Sequence, residues 1–182
     1  MGEIKSAWEI AQAKAARLGK LSAEEQRQQR EKEFAQIGTA IAQRHLSHWN
    51  PQNVQTELSQ YSSEEKPIIT QAVIGELAQT IDLGSQDMSD RTAKGILLLK
   101  PEAEGTIQQI RELRQEYEQA VRKIRQETEA RVKEMLHQLR ISGSAISGIN
   151  VEADPGWQRS IQELTQPLQE RLEALKSELC QA

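Results

Sequence analysis

The sequence predicts an all-α protein: a small helical bundle joined to a long antiparallel coiled-coil hairpin with a non-helical, partly strand-like tip. Three observations carry this reading. Aromatic residues are only 3% and apolar residues 37% of the 182 positions, against roughly 45–50% apolar in an average globular domain. Such a chain favours thin buried stripes over one large core. Apolar residues recur at helical spacing along most of its length. The last 78 or so residues carry two stripes that share an eleven-residue repeat.

The first segment, Glu3 to Leu18, reads as an amphipathic helix with Ile4, Trp8, Ala11, Ala15 and Leu18 on one side and Gly19 as its stop. Ser22 with Glu25 three residues on is a capping box, and starts a helix that runs to about His48. Its first turns, Glu24 to Lys32, are polar and read as a solvated connector, so residues 1–33 form an N-terminal helix and connector. Residues 34–100 read as the small bundle. There Phe34, Ile37, Ile41 and Trp49 are apolar, and Asn50-Pro51 caps and starts the next helix, marked by Val54, Leu58 and Tyr61. Ser62 or Ser63 caps a further helix, with Pro67 in its first turn, a stripe of Ile69, Val73, Leu77 and Ile81, and Gly84 as its end. A short helix around Ser89 to Leu99 stops at Lys100-Pro101.

Residues 101–182 form the hairpin, with arms at 105–140 and 156–181 and a tip at 141–155. In the first arm Ile110, Leu113, Tyr117, Val121, Ile124, Thr128, Val132, Met135 and Leu139 are spaced 3, 4, 4, 3, 4, 4, 3, 4. Trp157, Ile161, Leu164, Leu168, Leu172, Leu175 and Leu179 repeat the pattern as 4, 3, 4, 4, 3, 4. Eleven residues in three turns stay close to the natural helical period, so each stripe hardly drifts around its helix. Pro167 removes one hydrogen bond inside the second arm and predicts a kink. The tip contains Ser142-Gly143, Ser147-Gly148 and Asp154-Pro155, which forbid continuous helix. Within it Ile149 and Val151 alternate with Asn150 and Glu152, a strand-like pattern, and Asp154 caps the last helix.

Charge and chemistry point away from several functions. Net charge is −4, and residues 105–140 carry eight basic against six acidic groups. The arginines Arg111, Arg114, Arg122, Arg125 and Arg131 interleave with Glu112, Glu116, Glu118, Glu127 and Glu129, so the helix pairs with itself rather than with nucleic acid. There is no apolar run long enough for a membrane span. The charged N-terminus is no secretory signal, and the single Cys180 suits a reducing compartment, so a cytoplasmic location is expected. His45 and His48 are three apart, but two ligands without a third do not predict a metal site. His137 reads as a solvated side chain, and Cys180 has no base beside it in sequence. No phosphate loop, nucleophile elbow or CxxC occurs, so neither a catalytic residue nor a cofactor is expected.

The opening GEIKSAWEIAQAKAARLGKLSAEE, the segment from Leu83 to Leu98, and the closing INVEADPGWQRSIQELTQPLQERLEALKSEL resemble an uncharacterised bacterial family known only as a domain of unknown function. That resemblance implies a short, helical, cytoplasmic protein and transfers no site residue. The last helices also look superficially like those of ribosome recycling factor. That family inserts a β-rich domain where residues 51–104 here are helical in pattern.

Function is therefore expected to be a non-enzymatic coiled-coil adaptor or scaffold for protein–protein interaction. A chaperone-like arm that holds client or assembling proteins is the alternative. Trp8, Ile146, Ile149 and Val151 are the candidate interaction residues, against the plainer roles of packing on the bundle or plugging the hairpin. The partner is a protein of unspecified identity. The unequal arms leave the stripe near Ile110 and Leu113 uncovered within the hairpin, so either the bundle or a second copy covers it, and a homodimer is favoured.

Overall fold

The computed structural model describes residues 22–48, 51–141 and 150–181. The expected first helix with Trp8, the Asn50 cap and the tip residues Ile146 and Ile149 lie outside them. Among the described residues every regular element is helical and none is a strand. Contacts divide the chain into two compact units after Glu76, inside the stretch 34–100 that the sequence pattern groups together.

In the first unit, α1 spans Ala23–His48, α2 Pro51–Leu58, and α3 starts at Glu65 and ends at Gln79. The capping box predicted for α1 is present. The Glu25 amide donates to Ser22 Oγ at 3.2 Å, and the Ser22 amide donates back to Glu25 Oε2 at 2.7 Å. The same reciprocal pair at α3 selects Ser62 over Ser63, with Glu65 closing the box. Two otherwise orphaned amides are satisfied at each start. Pro67 sits in the first turn of α3, where its missing N–H does no harm. Ile41, Ala42, Val54, Leu58, Ile69 and Val73 form the unit's core, each at most 3% exposed. At Gly38 the α1 and α3 backbones come so close that a Cβ would stand 2.5 Å from Ala72 Cβ. Only glycine fits that crossing.

The second unit begins with the last turn of α3. That helix stops at Gln79, five residues before the expected Gly84. Ile81 and Leu83 are still buried, at 1% and 4%, but from a turn rather than a helix. Apolar spacing alone could not tell the two apart. The Asp82 carboxylate accepts from the amides of Gly84 and Ser85, and this turn starts the next helix early. Accordingly α4 spans Gln86–Leu99 rather than starting near Ser89. A 3-10 turn at Pro101–Ala103 leads into α5, Glu104–Gln138, and the chain ends in α6, Pro155–Cys180. Pro167 lies inside α6, which nevertheless runs through as a single helix.

α5 and α6 pack on one another. Their polar contacts set opposite directions. Thr106 Oγ1 donates to Glu178 Oε1 at 2.9 Å, at the start of one helix and the end of the other. Arg171 grips both oxygens of Glu116 at 3.1 and 2.9 Å. Arg131 meets Asp154 at 2.7 Å. Lys100 closes the near end, its ammonium donating to the carbonyls of Leu179 and Gln181. A lysine there satisfies carbonyls that α6 cannot bond itself. Ile110 and Leu113 are only 3% and 2% exposed. The chain buries them without a second copy, which removes the reason given above for favouring a homodimer.

Candidate functional site

The far end of the α5–α6 pair brings together Arg125, Arg131, Glu152, Asp154 and Trp157. Asp154 Oδ1 accepts from the Trp157 amide at 2.9 Å, the expected N-cap of α6. The same oxygen takes the Arg131 contact. Gly156 leaves room for it, since a Cβ there would lie 2.7 Å from Arg131 Nη2. Trp157 is 8% exposed, and the Arg125 guanidinium lies over its ring at 5.3 Å from the centroid. Arg125 also reaches Glu152 at 2.9 Å. Residues Val151–Ala153 form a 3-10 turn that packs on both long helices.

This turn corrects the strand-like expectation for Val151 and Glu152. Asn150 bonds the Glu152 amide at 3.2 Å and bends the chain where alternation alone suggested extension. Val151 is 2% exposed. Its side chain is therefore covered by the chain itself.

Beyond Arg131, α5 continues past the start of α6. The stripe there is open: Met135 is 47% exposed and Leu139 64%, followed by Ile141 at 41%. Among the described residues the only other exposed large hydrophobic is Met88. The sequence reading placed Met135 and Leu139 in the seam and so missed them as surface. The excess length of the first arm was the signal available. α5 ends in a Schellman motif. Arg140 has φ 57°, its amide donates to His137 O and the Ile141 amide donates to Leu136 O, both at 2.9 Å. A non-glycine residue in that region is uncommon.

The charged faces pair largely as read. Glu118 reaches Arg122 at 3.5 Å and Glu129 reaches Lys133 at 3.8 Å. Arg131 pairs with Asp154 rather than with Glu127 four residues before it, and Lys123 takes Glu127 at 3.9 Å. The tertiary contact wins because Asp154 is already held in place by its cap.

His45 and His48 fall elsewhere. His45 is 3% exposed and His48 is on the surface, and both line a cavity of about 260 Å³ with Ile41, Arg44, Asn53, Val54 and Glu57. Arg44 and Glu57 bond each other across it. Among the described residues no three metal-ligating side chains come together. His137 is exposed and Cys180 is half-buried at the end of α6. No described helix is long and apolar enough to cross a membrane.

No protein-family model, curated protein or solved structure matches this chain.

Proposed function

We propose that this protein is a non-enzymatic adaptor that works in the cytoplasm. In this reading α5 and α6 form a coiled-coil hairpin, and its far end meets a protein partner. The single observation that carries it is the run of Met135, Leu139 and Ile141, all exposed within seven residues at that end. Isolated exposed apolar side chains are ordinary, but three clustered in sequence at the end of a long helix offer a contact surface. The helix-in-groove mode uses such a stripe at i and i+4. Glu104, Glu118, Glu127 and Glu129 of α5 each pair with an arginine or lysine at the surface, which suits a binding role. Ile146 and Ile149 extend the same proposal from the sequence.

The test is a pull-down from native lysate with the intact chain and a Met135→Asp, Leu139→Asp double variant, each checked for helicity. Both positions are exposed, so the variant keeps its fold. A protein retained by the intact chain and lost by the variant supports the reading. Equal recovery by both sinks it and turns attention to Trp8. The exposed methionine also suits a chaperone-like arm, since Met adapts to varied apolar surfaces. Suppression of aggregation of an unrelated denatured protein, lost in the same variant, favours that second reading.

A further inference from the structure

Arg114 lies in the first half of α5, and its side chain is only 6% exposed. Its Nε and Nη2 are fully buried and have no hydrogen-bond partner. These two nitrogens share one edge of the guanidinium, and their N–H bonds point the same way. That edge is the one with which arginine grips a carboxylate or phosphate at two points. The anion nearest to it is Glu118, one helical turn on, with Oε1 3.8 Å from Nη2. That distance is too long for a hydrogen bond. The other oxygen of Glu118 lies 3.5 Å from Nη2 of Arg122. One carboxylate is thus shared between two arginines and held closely by neither. Glu118 is 39% and Arg122 76% exposed, so the carboxylate nearest the buried edge itself stands at the surface. A buried cation with an unbonded edge is costly, and native proteins satisfy such groups.

We propose that the Arg114 edge, with Arg122 beside it, is a binding site for a small oxyanion, a phosphate or a carboxylate group. The ligand takes the two-point grip on Arg114, and Glu118 turns outward to make room. Arg122 supplies the second positive charge. The proposal stands apart from the adaptor reading and uses none of the residues at the far end of the pair.

Thermal unfolding of the full chain tests it, in chloride, inorganic phosphate or acetate at equal ionic strength and pH. Phosphate or acetate raises the midpoint of the intact protein by about 3 °C or more over chloride, with saturation. The stronger of the two arms identifies the ligand class. Arg114→Met fills the same space without the fork and loses this response, while its midpoint in chloride stays level or rises. Glu118→Gln keeps the response. An equal response in the intact protein and Arg114→Met is a bulk salt effect and overturns the site, as does no response in the intact protein. If Arg114→Met does not fold, Arg114→Lys decides. It keeps the charge but not the fork, and a full response there overturns the proposal.

Discussion

The two ends of α5 carry the same apolar repeat and meet different fates. Near its start, Ile107, Ile110 and Leu113 are at most 3% exposed. Near its end, Met135 and Leu139 stand in solvent at 47% and 64%. Both sets recur at helical spacing, so periodicity names the face of a helix without naming what covers it. What differs is reach. α5 has 35 residues and α6 has 26, about 52 Å against 39 Å. The shorter helix starts opposite Arg131, where Asp154 is pinned.

Substitutions along the pair sharpen this contrast. Leu172 is 0% exposed. Leu172→Ala is expected to cost about 2–5 kcal/mol in chemical denaturation, as a buried cavity does. A cost near zero would mean that the covered end is not a real core. Asp154→Ala removes the cap of α6 and frees Arg131, and should cost about 0.5–2 kcal/mol. Arg140→Gly should act the other way. It relieves a left-handed backbone at the uncovered end and is expected to gain about 0.5–1 kcal/mol, since glycine bears no Cβ penalty there. Leu139→Ala, in the same stripe as Leu113 but exposed, should change stability by less than about 0.5 kcal/mol. A loss comparable to that of Leu172→Ala would show that the outer end is covered in solution.

Acid provides a further probe, remote from the pair. The Glu25 and Glu65 carboxyls are held below their usual range, chiefly by the hydrogen bonds from the Ser22 and Ser62 backbones. Their contribution is present above the unfolded value and is lost as pH falls through the lower folded value. Helicity followed by circular dichroism should therefore fall in acid. A Glu65→Gln variant, which keeps the cap geometry but cannot titrate, should lose the part of that dependence due to α3. An unchanged acid profile in that variant would disprove the capping role.

Local rules explain which parts were legible in advance. Ser22 with Glu25, Asp154 with Pro155, and the limits of α1, α5 and α6 follow from caps and periods within a few residues of sequence. The end of α3 did not follow. Ile81 and Leu83 continue the apolar pattern, yet the Asp82 carboxylate bonds the next amides and turns the chain. Val151 was misread for a related reason, because alternation over four residues is also what a tight turn with one buried side chain produces.

By itself the sequence determined the all-helical class, the capped starts and the faces that would be apolar, because those are set by interactions between residues three or four apart. Only the tertiary structure decided that Ile110 and Leu113 are covered by the chain itself. It also decided that Arg131 pairs with Asp154, that Val151 is buried in a turn, and that Arg114 is buried with one edge unbonded. Each of these depends on which surfaces meet across long sequence separations, and helical periodicity carries no information about that.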